Sequence, residues 1–218
     1  MYIFSPASPL FPYILAFLIP AIAYLATIHK LPFKGDFLLK SLPILVLAFA
    51  TWKFIGDETT RILLIAALLF SAAGDISLSF KGEKSFLLGI ANFLVAHLVY
   101  IILFAQHSST RSGAWWIYLL LAIFAIGMVV ILLPKLGSMK IPVLVYISVI
   151  MVMGVYANMW KGPNEKILLY GAMIFMASDA MIAIDRFVEP IKGSKYFVMS
   201  TYYIAQAMIW MAMIGAFK

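Results

Sequence analysis

Apolar runs of about twenty residues, the length at which a helix crosses roughly 30 Å of hydrocarbon, recur from one end of this sequence to the other. Hydropathy places about eight of them, near 11–28, 37–54, 62–80, 85–104, 115–133, 141–159, 166–184 and 195–216. The expected fold is therefore an all-α integral membrane protein with about eight transmembrane helices. Charged residues make up 11% of the chain, against roughly a quarter in a soluble domain, so no large soluble domain fits between the spans. Pro32, Gly35, Gly56, Gly82, Gly113, Gly137, Gly162, Pro163, Pro190 and Gly193 punctuate the connections as turn formers do. Pro20, Pro43 and Pro142 fall within or at the starts of spans, where neighbouring helices can satisfy the freed backbone.

Most of the charge sits in the short connections. One side of the spans collects Lys30, Lys34, Lys40, Lys81, Lys84, Lys135, Lys140, Arg186, Lys192 and Lys195; the other has Lys53, Arg61, Arg111, Lys161, Lys166 and Lys218. The excess of bases marks the first side as cytoplasmic and turns both termini outward. Topology and anionic lipid thus account for the net charge of +7, and no nucleic-acid partner is expected. Met1 to Phe11 carries no charge, unlike the basic start of a cleavable signal, so the first span is expected to be retained in a multi-pass protein, here of a bacterial inner membrane. Trp115, Trp116, Tyr118 and Trp160 near span ends read as interfacial anchors. The absence of cysteine rules out disulfides, a thiolate nucleophile and Cys-ligated zinc or iron–sulfur clusters.

Two spans carry a carboxylate where lipid solvent makes one expensive. Ser71-Ala72-Ala73-Gly74-Asp75 and Phe175-Met176-Ala177-Ser178-Asp179 both place Asp after a small residue inside an apolar run, and an intramembrane ionisable group marks a functional site by default. At 1.5 Å per residue, Asp75 lies about 7 Å from Phe80 and Asp179 about 10 Å from Arg186, a common depth on spans of the same direction. Ser71, Asp75 and Ser79 form one stripe, and Gly171, Phe175, Asp179 and Ala183 another; small residues on such stripes also simply let helices approach. The echo suggests an internal duplication, 1–106 and 114–218, as two parallel four-helix repeats, with chance likeness between apolar helices as the alternative.

Two carboxylates sharing a low-dielectric cavity divide into a protonated acid and an ionised base. Candidate groups to orient substrate and water are Asn92, His97 and Tyr100 on the fourth span, and Tyr203 and Gln206 on the eighth. Helical rise sets Asn92 level with Asp75 and His97 about 8 Å further along. A zinc site would have to use His97 with both Asp, which that offset disfavours. Lys40, at the start of the second span, could meet a lipid phosphate or snorkel to the interface, and Tyr146, Met151 and Met153 on the sixth could border an acyl chain or simply pack. Asp185 beside Arg186 reads as a surface ion pair. No nucleotide-binding or serine-hydrolase motif occurs in a strand-to-helix context.

Taken in order, Gly74-Asp75 with Phe80, Phe93, His97 and Tyr100, Pro142 with Tyr146 and Met151, Ser178-Asp179 with Arg186-Phe187, and Tyr203 with Gln206 resemble the YhhN-type membrane family of lysoplasmalogenases over nearly the whole chain. Where that family is expected to show Lys-Pro, this chain has Lys40-Ser41 with Pro43 delayed, which weakens any role carried over to Lys40. The resemblance implies a membrane-embedded enzyme that hydrolyses the vinyl ether of a lysophospholipid, drawn from the surrounding membrane lipid, to a fatty aldehyde and a glycerophospho-alcohol. Asp75 and Asp179 would be the acid/base pair, and the scheme requires no cofactor or metal. Two other classes stay open: a proton-coupled transporter or lipid-binding protein using the same Asp pair as a relay, and a metal-assisted lipid hydrolase of the ceramidase sort.

Overall fold

The computed structural model describes residues 5–109 and 113–217; of the bases counted above, Arg111 and Lys218 lie outside them, as do Met1 to Phe4. Eight α-helices are long and apolar enough to span a bilayer, and no β-strand occurs among the described residues. They are α1 (Phe11–Thr27), α2 (Asp36–Phe54), α3 (Glu58–Ser79), α4 (Glu83–Ala105), α5 (Trp115–Leu132), α6 (Lys140–Met159), α7 (Glu165–Phe187) and α8 (Ser194–Phe217). Ile19, Ile22, Ile126, Val130 and Ile141 are each more than half exposed on these helices, an apolar exterior that suits hydrocarbon and not water.

Helix ends differ from the hydropathic expectation where capping extends a helix beyond its apolar run. At α3 the Asp57 side chain accepts from the backbone N–H of Thr60 at 2.8 Å, satisfying a donor the first turn would leave orphaned. Glu58 then places a negative charge at the positive end of the helix, so α3 starts four residues before the apolar stretch at Ile62. The entry to α2 is set differently, by Gly35 at φ +88°, a left-handed conformation that a side chain would resist.

The chain forms two compact units. The first comprises α1, α2, α3 and α4 as far as Val99, together with Phe217. Within it α2 packs against both α1 and α3, and Gly56 N–H donates to the carbonyl of Phe217 at 3.2 Å. The α3–α4 approach depends on Gly74: a Cβ there would lie 2.6 and 2.7 Å from two ring carbons of Phe93, itself buried. Gly74→Ala is therefore expected to destabilise the protein by about 1–3 kcal/mol, the range for overpacking a tight contact. Phe93→Leu in the same chain should recover part of that loss, and unfolding in mixed micelles reads both; an Ala variant as stable as the parent would deny the close approach.

The second unit runs from Tyr100 to Ala216. Here α6 packs against α5 and α7 around Met128, Leu132, Leu136, Val143, Ile147 and Ala180, with Met151 against the cluster and Met153 fully buried beside Ile150 on α6. Both methionines are thus packing residues. The end of α4 is fastened to the end of α6 by Ser109 N–H to Met159 O at 2.9 Å and Lys161 N–H to His107 O at 2.8 Å. Asn158 completes the junction by pairing with both backbone groups of Ala114, at 3.2 and 3.1 Å. Trp115 and Trp116 are exposed, as interfacial anchors should be, but Trp160 is not an anchor. Its ring is 1% exposed and folds over Gly162, because the junction draws the end of α6 inward.

Candidate active site

In the first unit Asp75 sits on α3 with 2% of its surface exposed. The Lys40 ammonium from α2 lies 3.3 Å from its Oδ1 and also donates to its backbone carbonyl at 3.3 Å. Lys40 therefore turns inward to Asp75 and does not snorkel to the interface. Its side chain is 8% exposed, and a buried ammonium is tolerable only because the carboxylate faces it. Asp36, one turn earlier on α2, is also buried, and Tyr24 on α1 lies within electrostatic reach of Asp75 and Asp36. Tyr24 went unmarked in the sequence; its one signal is a phenol within a span that holds no charge.

His97 is fully buried on α4, its Nδ1 2.6 Å from the Phe93 carbonyl of its own helix. A carbonyl can only accept, so Nδ1 carries the proton there. Asn92, expected to reach toward substrate, turns its Nδ2 to Leu88 O at 2.8 Å, one turn back along α4. Ser41, standing where a proline was expected, bonds back to Phe37 O at 2.9 Å and is fully buried.

In the second unit Asp179 occupies α7 with 6% exposure, and the Tyr146 hydroxyl from α6 donates to its Oδ2 at 2.8 Å. Tyr146 is thus a partner of the carboxyl, whereas the sequence suggested an acyl-chain border. The neighbouring Ser178 donates to Val198 O at 3.0 Å, and Gly171 lets α8 come close, since a Cβ there would meet Met208 at 3.0 Å and Ala205 O at 3.2 Å. Tyr100 and Gln206 are brought together, the phenol donating to Oε1 at 2.6 Å with both side chains fully buried. Tyr203 stands against Tyr202, Tyr202 against Phe175, and Phe175 edge-on to Tyr100, with centroids 5.7, 5.5 and 6.4 Å apart. This aromatic run reaches α7 one turn before Asp179. Asp185 does not join it: its Oδ1 accepts from Ile191 N–H at 2.7 Å, closing the α7–α8 connection in place of the expected ion pair.

Each unit therefore holds a buried carboxyl fixed by a donor from the adjacent helix, an ammonium in one case and a phenol in the other. Such groups on helices of membrane-spanning length define a polytopic membrane protein in which the two carboxyls are candidate functional groups. The chain belongs to the YhhN family, whose model matches residues 35–213 and so contains both carboxyls. It is similar to the lysoplasmalogenase TMEM86B of Homo sapiens, 34% identical over 175 residues that cover 79% of this chain and 72% of that one. The lysoplasmalogenase TMEM86A of Bos taurus is 32% identical over 192 residues, 79% of this chain and 75% of its own. A lysoplasmalogenase of Mycobacterium tuberculosis is 34% identical over 154 residues, 68% and 58% respectively. No solved structure matches the chain.

Proposed function

We propose that this protein is a lysoplasmalogenase, a membrane hydrolase that cleaves the vinyl ether of a lysoplasmalogen by carboxyl acid/base catalysis. Similarity to relatives of that name, together with a family match over residues 35–213 that includes both buried carboxyls, carries the reading. A vinyl ether is opened by protonating its β-carbon, which places positive charge on the ether oxygen and α-carbon. Water adds to that oxocarbenium ion, and the resulting hemiacetal falls apart to a fatty aldehyde and glycerophosphoethanolamine or glycerophosphocholine. The demands resemble those of a glycosidase: one carboxyl to deliver the proton, another to stabilise the cation and activate water. Asp75 and Asp179 take these parts, with His97, Tyr203 and Gln206 as polar groups that orient substrate and water. Its place in a bacterium would be the inner membrane, a reading the helical spans support, since outer-membrane spans are β-barrels.

Purified protein given a lysoplasmalogen and its saturated 1-O-alkyl counterpart tests this. Aldehyde is expected from the vinyl ether alone, and a chelator should leave the rate unchanged. Release from neither lipid would favour the competing reading of these carboxyls as a proton relay, and chelator sensitivity would point to a metal-assisted hydrolase.

A further inference from the structure

The two connections at one end of the first unit, between α1 and α2 and between α3 and α4, carry lysines that no carboxylate answers. Lys30, Lys34, Lys81 and Lys84 are all exposed, and none of their ammonium groups lies in an ion pair with a described residue. Packing holds the connections side by side. Phe37 at the start of α2 meets Phe80 at the end of α3, with ring centroids 5.6 Å apart, and Gly89 lets α4 come against α3, since a Cβ there would lie 2.6 Å from Leu78. Glu83 is the one exposed acid at this end among the described residues, so four lysines stand against a single carboxylate. At the other end of the same unit Lys53 and Arg61 stand against Asp57 and Glu58, and Arg61 also donates to the Ile55 carbonyl at 3.4 Å. Exposed charge within the unit is thus one-sided.

An apolar row begins where these lysines end. Leu38, Leu42, Leu45, Phe49 and Trp52 recur every three or four residues along α2, which sets them on one stripe of the helix, and all five are exposed. The row starts four residues after Lys34 and extends for about 21 Å at 1.5 Å per residue. Phe80, more than half exposed at the end of α3, adds apolar surface at the lysine end.

We propose that this end of the first unit is a binding surface for anionic phospholipid, which sets its headgroup phosphate among the four lysines and lays an acyl chain along the α2 row. Topology alone requires only that bases collect on one side of the spans. Here packed helices gather them over a single apolar stripe, an arrangement that matches both parts of one lipid molecule. Each lysine near such a headgroup contributes about a fivefold preference for the anionic lipid over a zwitterionic one. The row beneath distinguishes a lipid from free phosphate, which would meet the lysines equally well but gain nothing from exposed leucines. The inference stands apart from the hydrolase reading, because no step of that reaction uses these residues.

Native mass spectrometry of the full chain, released from micelles containing equal amounts of phosphatidylglycerol and phosphatidylcholine with the same acyl chains, counts the lipids that stay bound. The parent should retain phosphatidylglycerol at least about fivefold more than phosphatidylcholine. Lys34→Gln with Lys81→Gln should remove most of that preference, and Lys34→Arg with Lys81→Arg should keep it. Lys53→Gln, which deletes a charge at the other end of the unit, should change nothing. Every substituted side chain is exposed, so all these variants are expected to fold. Association measured with spin-labelled forms of the two lipids should lose its preference for phosphatidylglycerol at about 1 M salt, where screening acts within about 3 Å. Excess inorganic phosphate at constant ionic strength should displace no lipid. An undiminished preference in the Lys34→Gln, Lys81→Gln chain overturns the proposal, as does an equal loss in Lys53→Gln or displacement by inorganic phosphate. A dimer of this chain that retains neither lipid would overturn it as well.

Discussion

On the proposed acid/base reading, asparagine at position 179 is expected to lower the turnover of lysoplasmalogen by about a hundred- to ten-thousand-fold, the usual loss when a positioned acid or base is removed. The substitution is nearly isosteric, and an amide oxygen still accepts the hydroxyl proton that Tyr146 now gives to Oδ2. The packing of α6 against α7 should therefore survive while the ionisable carboxyl does not. Since acid/base catalysis acts only as the transition state forms, the loss should fall on kcat and leave KM close to the parent value. Initial rates of aldehyde release across a range of lipid concentrations, on protein matched for folded fraction, provide the measurement. A variant with full turnover would end the assignment of Asp179 to catalysis.

Lys40→Met should be the most destabilising single change in the first unit. Deleting the ammonium leaves the Asp75 carboxylate 2% exposed without the charge that compensates its burial, and breaking a buried pair from one side costs about 3–5 kcal/mol. Asp75→Asn breaks it from the other side, leaving a buried ammonium against an amide. Removing both charges together should then cost less than the sum of the two single losses, by roughly 0.5–3 kcal/mol of coupling, as residues in contact show. Unfolding of the parent, both single variants and the double variant in mixed micelles closes the cycle. Strict additivity would mean that the 3.3 Å contact contributes nothing to stability.

Several residues separate what was legible from what was not. The helices followed from apolar length alone, and only polar first turns such as Glu58 at α3 extended past it, because hydropathy does not register a cap like Asp57. Asp75 and Asp179 stood out because a carboxyl within an apolar run is conspicuous whatever surrounds it. Their partners did not stand out. Lys40 sits near a span end, where lysines ordinarily reach for water, and nothing local distinguishes one that turns inward. Tyr146 looked like lining and Trp160 like an anchor, yet the first meets Asp179 and the second is buried by the α4–α6 junction. Asn92 shows a local alternative, since a polar side chain at membrane depth can be satisfied by its own helix one turn back.

The sequence by itself determined the solvent this chain folds in, the spans that cross it and the presence of carboxyls at depth on α3 and α7. All of these depend on composition along the chain, and lipid penalises any departure from them residue by residue. Tertiary structure alone decided that Asp75 meets an ammonium and Asp179 a phenol, that Tyr100 meets Gln206, and that Trp160 turns inward. A helix turns 100° with each residue, so which side chains face each other depends on how neighbouring helices are rotated and how closely they approach. Contacts such as Gly74 against Phe93 set that approach between segments far apart in the chain.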